Sequence, residues 1–172
     1  MVKQEQIILE PVMRNTAPCI LYASLKIKKQ NPDAIMVVAP SDHWIEDEMQ
    51  FCSNLQHAFD FCERDENLMT LGILPTFANT GYGYIEFDKL DSRPIKKVKQ
   101  FREKPDYATA RKFIQSRNYL WNAGIFVWSA KTVLKAYEEF QPVMYDHFMN
   151  GYEALNTEKE AAFIKDNYPL AQ

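Results

Sequence analysis

An open α/β fold is predicted for this chain, on three observations. Apolar runs rich in β-branched or aromatic residues recur along it, at 34–40 (AIMVVAP), 68–74 (LMTLGIL) and 119–130 (YLWNAGIFVWSA). The segments between them carry apolar residues three or four apart, the period of a helix. Strands alternating with helices in this way form a sheet that is parallel wherever a helix makes the crossover. The length of 172 residues suits one compact domain. No repeat, low-complexity tract or Pro/Gly/Ser linker divides the chain, so a single domain over 1–172 is expected.

Each element has its own justification. Residues 6–9 (QIIL) read as a short strand ending at Glu10-Pro11. Residues 16–30 carry Ile20, Leu21, Leu25 and Ile27 at helical spacing, with Thr16 as N-cap candidate and Pro18 in the first turn. Asn31-Pro32-Asp33 ends that helix. The run 34–40 is continuously apolar and reads as a strand buried on both faces. Met49, Cys52, Leu55, Phe59 and Cys62 predict a helix over 48–63, and 68–74 a second fully buried strand. From residue 75 the rhythm changes. NTGYGYIEFD (79–88) is a glycine-hinged turn entering a strand, and IKKVKQFREKP (95–105) is its antiparallel neighbour. Asp106 behind Pro105 opens a helix over 106–116. Residues 119–130 form a strand interrupted by Asn122 and Gly124, and the remainder is helical.

Composition excludes several classes of function. A formal net charge of −3 gives no broad basic field, so nucleic acid is not an expected partner. Cys19, Cys52 and Cys62 lie far apart without a CxxC pair, against a zinc site or disulfide framework and in keeping with a reducing cytoplasm. His43, His57 and His147 are dispersed, so no zinc-like cluster is visible. No signal peptide is apparent, and no apolar run approaches the ~20 residues of a membrane span.

Five segments carry groups that suit chemistry, and each has a plainer alternative. Asp42 follows the strand 34–40, where ligands of open α/β sheets sit, and its carboxylate suits Mg²⁺; Asp also commonly caps a turn or helix. In Arg102-Glu103-Lys104-Pro105, Lys104 can neutralise a phosphate and Glu103 can accept from sugar hydroxyls; a solvated charge run is the commoner case. Asn122 in an apolar strand needs a hydrogen-bond partner, and Gly124 admits close approach of a ligand, although Asn122-Ala123-Gly124 also suits a bulge. Gly81 and Gly83 fit either a tight turn or a sugar ring against the backbone. Glu10 at a strand end can accept the donors of guanine, whereas Asn15 and Thr16 equally suit helix caps.

In this order, EPVMRNTAPCI, VVAPSDHWI, TGYGYIE, VKQFREKPD and YLWNAGIFVW resemble the mannose-1-phosphate guanylyltransferase family over nearly the whole chain. The resemblance implies a Rossmann-like nucleotidyltransferase fold with a mixed, mostly parallel sheet. It implies transfer of a guanylyl group from GTP to mannose-1-phosphate, giving GDP-mannose and pyrophosphate. By that likeness Asp42 would ligate the catalytic Mg²⁺ and Lys104 would bind the sugar phosphate. Glu103, Asn122, Gly124 and the Gly83 backbone would hold the mannose, and Glu10, Arg14 and Thr16 would lie near the guanine.

The family's glycine-rich triphosphate loop and a second metal-binding aspartate have no counterpart in these residues. What the resemblance implies is therefore an internal part of the domain lacking its first βα unit, with little or no transferase activity alone. A sheet without that unit would be marginally stable or would self-associate as a homo-oligomer. Competing readings are a related sugar-1-phosphate nucleotidyltransferase with another base or sugar, and a non-catalytic sugar-phosphate binding module. A purely structural α/β fragment ranks last.

Overall fold

The computed structural model describes residue 3 and residues 6–171. Its elements are α1 (Thr16–Gln30), β1 (Ile35–Val38), α2 (Glu48–Arg64), β2 (Met69–Ile73), β3 (Tyr84–Phe87) and β4 (Val98–Arg102). There follow α3 (Tyr107–Ser116), β5 (Tyr119–Ser129), α4 (Ala130–Phe140), α5 (Pro142–Met149) and α6 (Glu160–Asn167), with short 3₁₀ turns at Tyr152–Ala154 and Tyr168–Leu170. The strands form an open, mixed sheet in the order β1-β5-β3-β4, with β2 also paired to β5. β3 is antiparallel to both β4 and β5.

The chain packs as two compact units. The first comprises Met1–Val38, Ile45–Met69 and Val127–Gln172; the second comprises Ala39–Trp44 and Thr70–Phe126.

In the first unit, α1 packs on α4 and α5. Leu21, Leu25, Leu134, Phe148, Leu155 and Tyr168 are almost completely buried. Each such side chain contributes about 1.5–3 kcal/mol relative to exposure. Tyr22 meets Phe148 and Tyr168 with ring centroids 6.5 and 6.2 Å away. The carboxylate of Glu160 on α6 accepts from the Tyr22 hydroxyl, the Lys26 ammonium and the Asn156 amide, so α6 is bonded to α1. A second small core joins Ala58 and Cys62 of α2 to Val127, with Ile35, Leu55, Phe59 and Met69 against it. Ser129 turns β5 into α4 by accepting the Thr132 N–H at 3.0 Å, a standard N-cap bond.

The second unit is built on the β3–β4 and β3–β5 pairs. Tyr84, Ala110 and Trp121 form its buried cluster, with Phe113 and Tyr119 packed on it. Burial alternates along β5, with Trp121, Ala123, Ile125 and Val127 inward, as a strand with one covered face requires. The carboxylate of Glu86 on β3 accepts from Gln100 of β4 and from the Tyr119 hydroxyl of β5, joining three strands on one face. Those two hydrogen bonds, Gln100 first, hold its pKa below the usual carboxylate value.

Several sequence expectations change here. Residues 6–9 form no strand; Ile7, Ile8 and Leu9 are 52, 41 and 78% exposed. Three residues of strand propensity gain nothing without a neighbouring ladder to take their backbone bonds. β1 is not buried on both faces: Met36 is buried, but Val37 is 42% exposed, and the α2 core reaches only Ile35. No residue of β2 is buried, and Ile73 is 49% exposed. Thr16 does not cap α1; Asn15 occupies that position at φ 59° without a side-chain bond, and Thr16 is the first helical residue. β5 runs unbroken for 11 residues, with its irregularity absorbed at Gly124, whose φ is +67°.

Candidate functional site

The second unit brings several predicted site residues together. The backbone N–H of Asn122 donates to the Gly83 carbonyl at 2.8 Å, extending the β3–β5 pairing one step before Tyr84. A Cβ at position 83 would stand 3.2 Å from Glu103 Oε2, 3.6 Å from Asn122 Cβ and 3.7 Å from the Arg102 carbonyl oxygen. Gly83, Glu103 and Asn122 therefore meet on one small surface, although they lie far apart in sequence. The absence of a side chain at 83 leaves the backbone open to close approach, the use to which glycine is suited.

Asn122 solves its own burial problem locally. Its Oδ1 accepts the Gly124 N–H at 3.0 Å, and Gly124 takes the left-handed conformation that this contact needs. The kink expected of the bulge reading exists at Gly124, and the Asn122 side-chain oxygen is bonded to it. Gly124 also abuts the residues after β1, since a Cβ there would lie 3.4 Å from Pro40 Cγ.

Lys104 sits at φ 32°, a backbone region that costs an L-residue free energy of order 1 kcal/mol or more. Its ammonium is 3.6 Å from Glu103 Oε1, and the two side chains are 63 and 75% exposed. Such a pair contributes little to stability in water, and both charged heads face solvent where an anion or a hydroxyl can reach them. Pro105 and Asp106 fix the chain beyond. Asp106 accepts the Thr109 N–H at 2.8 Å, and that bond holds its pKa below the usual carboxylate value while opening α3. An open concavity of about 500 Å³ lies beside Glu103, lined by Phe101, Arg102, Pro105, Thr109 and Phe113. Gly83, Lys104 and Asn122 do not line it, so the convergence at Gly83 is the better guide to a site.

Asp42 lies in an exposed turn two residues after Pro40. It does not cap α2, because Asp47 does so by accepting the Gln50 N–H at 2.9 Å. Among the described residues no three His, Cys, Asp or Glu side chains gather as a metal-ligating group. A single exposed carboxylate nonetheless suits Mg²⁺, which is commonly held by one or two carboxylates plus the phosphates of a substrate.

Glu10, Arg14 and Thr16 belong to the first unit. The Tyr168 hydroxyl donates to the Glu10 carboxylate, and the Arg14 guanidinium donates to the Pro169 carbonyl. Burial, and then the bond to Glu10, push the Tyr168 pKa up. One oxygen of Glu10 is thus engaged within the protein, an arrangement no local sequence pattern could have revealed.

Proteins of known kind resemble this chain. A mannose-1-phosphate guanylyltransferase of Salmonella muenchen is 39% identical over 153 residues, covering 87% of this chain and 32% of that protein. The xanthan biosynthesis protein XanB of Xanthomonas campestris is 40% identical over 152 residues, again 32% of its length. The chain therefore spans about a third of the relatives it matches. Among solved structures, a mannose-1-phosphate geranyltransferase of Thermus thermophilus superposes with a TM-score of 0.79 at 25% identity, over 99% of this chain and 51% of that one. A mannose-6-phosphate isomerase of Helicobacter pylori gives 0.72 at 30% identity, over 84% and 53%. These likenesses agree with a Rossmann-like α/β fold. The nucleotidyl transferase family model matches residues 2–168, nearly the whole length over which the motifs are strung. The chain belongs to the nucleotidyl transferase family.

Proposed function

We propose that this chain carries the sugar-phosphate side of a mannose-1-phosphate guanylyltransferase site. The observation that carries the reading is the convergence of Gly83, Glu103 and Asn122, with the exposed ammonium of Lys104 beside them. The names of the relatives support mannose-1-phosphate as the sugar and a guanine nucleotide as its partner.

In the proposed reaction a phosphate oxygen of mannose-1-phosphate attacks the α-phosphorus of GTP. The bond from that phosphorus to the bridging oxygen breaks, and pyrophosphate leaves with the electron pair. The nucleophile is already an anion, so no general base is required. What the protein must supply is alignment of two polyanions and relief of their repulsion. Lys104 neutralises charge on the sugar phosphate as a compact cation. Glu103 accepts from sugar hydroxyls, Asn122 offers an amide, and Gly83 and Gly124 let the ring approach the backbone. Asp42 would hold Mg²⁺, which supplies further charge neutralisation when bound. Glu10, Arg14 and Thr16 form the proposed guanine side, with Glu10 keeping its second oxygen for a donor. Cys19, Cys52 and Cys62 are outside any disulfide, which supports a cytoplasmic setting. Among the described residues no helix is long and apolar enough to cross a membrane.

The test is calorimetric titration of the chain with GDP-mannose and with UDP-glucose in Mg²⁺, beside a Lys104→Ala variant. Selective binding of GDP-mannose, weakened about tenfold or more by the variant, is the expected result. Equal binding of both nucleotide sugars, or affinity indifferent to Lys104, overturns the assignment.

A further inference from the structure

Tyr84 and Trp121 are register partners across β3 and β5, and neither belongs to the set assigned to ligand. We propose that this pair consists of positioning residues that hold the 77–83 loop in the shape presenting Gly83 to the sugar. The inference rests on the sugar-phosphate reading of Gly83, Glu103 and Asn122.

The loop is tied to the pair at four points. The buried Tyr84 hydroxyl accepts the Asn79 N–H at 3.1 Å and donates to the Asn79 carbonyl at 2.8 Å. Asn79 passes the restraint on, because its Oδ1 accepts the Gly81 N–H at 2.7 Å. Trp121 takes the edges of two further loop residues, Phe77 and Tyr82, at centroid distances of 5.1 and 5.2 Å and interplanar angles of 70 and 74°. Those two rings are 57 and 48% exposed, so they are held by Trp121 rather than by a surrounding core.

Trp121 carries an oddity that points the same way. It is only 8% exposed, yet its indole Nε1 is buried with no hydrogen-bond partner among the described residues. An unmet buried donor costs free energy that phenylalanine would avoid. The wide indole is accounted for by its two edge contacts, one to each side of the loop.

Adjacent residues on a strand point to opposite faces. Tyr84 and Trp121 face the cluster with Ala110 and Phe113, and their sequence neighbours Gly83 and Asn122 meet each other and Glu103. A slackened hold on the loop therefore moves Gly83 without touching any ligand-bearing side chain. The consequence is a defined role: the pair sets how well the Gly83 backbone fits one sugar against its epimer.

Tyr84→Phe in the full chain tests this, since it removes the hydroxyl but keeps the ring 5.3 Å from Phe113. Two readouts are taken: amide hydrogen exchange at Asn79 and Gly81 without ligand, and affinity for mannose-1-phosphate and glucose-1-phosphate by calorimetry. The proposal expects exchange at both amides to rise about tenfold or more. It also expects mannose-1-phosphate to bind about five- to twentyfold more weakly and its advantage over glucose-1-phosphate to shrink. Trp121→Phe, which narrows the ring, is the second variant if Tyr84→Phe does not fold, and it should show the same pattern. Unchanged exchange at Asn79 and Gly81 overturns the proposal, as does raised exchange with both affinities intact. If the unaltered chain binds no mannose-1-phosphate, the sugar reading itself fails; the role assigned to the pair then falls with it, while the exchange data still decide whether the pair holds the loop.

Discussion

Gly83→Ala separates what this glycine does for folding from what it does for ligand. The added methyl would meet one atom closely, Glu103 Oε2 at 3.2 Å, and two others at ordinary contact distances of 3.6 and 3.7 Å. The close atom is the far end of a flexible side chain that is 75% exposed, so it can retreat by a few tenths of an ångström into solvent. Gly83 lies outside the left-handed region, where only Gly124 among the described glycines is found, so alanine fits its backbone. Reduced freedom of the unfolded chain then stabilises by about 0.4–1 kcal/mol, against a repulsion of similar size. The net change is expected within about 1 kcal/mol, or about 2–4 °C in a thermal melt of a domain this size. Ligand meets the opposite situation, since the methyl fills the space proposed for the sugar ring. GDP-mannose affinity should fall about tenfold or more, near 1.4 kcal/mol. A thermal melt and a calorimetric titration on the same sample make the measurement. Unchanged affinity would refute the placement of sugar against Gly83, and a melt lowered by more than about 8 °C would refute the claim that Glu103 can yield.

Other glycines should behave differently. A methyl on Gly72 would lie 2.5 to 2.8 Å from Leu120 side-chain carbons, so Gly72→Ala should cost about 1–3 kcal/mol in urea denaturation. Leu134→Ala, at a site 2% exposed, should cost about 2–5 kcal/mol by the same assay, with no effect on the denaturant slope. Acid should loosen α6. Burial raises the Glu160 pKa, but the bonds from Lys26, Tyr22 and Asn156 outweigh it and leave the value below its ordinary 4.5. A carboxylate depressed in the folded state contributes stability that is complete above its unfolded pKa and lost as pH falls through the folded one. Melting temperatures taken from about pH 6 to about pH 3 should therefore decline more steeply for the native chain than for Glu160→Gln; parallel curves would refute the assignment.

The helices were largely legible because their evidence is local. α1 occupies 16–30 as its spacing predicts, α2 follows its apolar stripe, and Asp106 caps α3 as expected from Asp behind Pro105. Strand burial was not legible. The runs at β1 and β2 are apolar on both faces, but whether both faces are covered depends on neighbours that sequence does not name. The same limit explains residues 7–9, whose strand-like composition has no ladder to join. At the site, residue types were readable and their meeting was not. Nothing in the spacing of Gly83, Glu103 and Asn122 brings them together; only the pairing of β3 with β4 and β5 does so. The engagement of Glu10 and Arg14 by residues 168 and 169 is still less accessible, since it spans more than 150 positions.

Those last contacts govern the order in which the chain can complete itself. Tyr168 reaches Glu10 across 158 positions and Glu160 reaches Tyr22 across 138, so these contacts of the first unit close only when α6 exists. The second unit needs no such wait: β3 and β4 pair within residues 84–102, and α3 and β5 follow directly. Loops closed by distant residues form slowly, whereas local hairpins form fast. On a ribosome, which releases a chain from its N-terminal end, α1 emerges well before α6 and stays without that partner until residues 160–167 have been made. During that interval its apolar face, Leu21 and Leu25 included, is uncovered surface of the kind a chaperone protects.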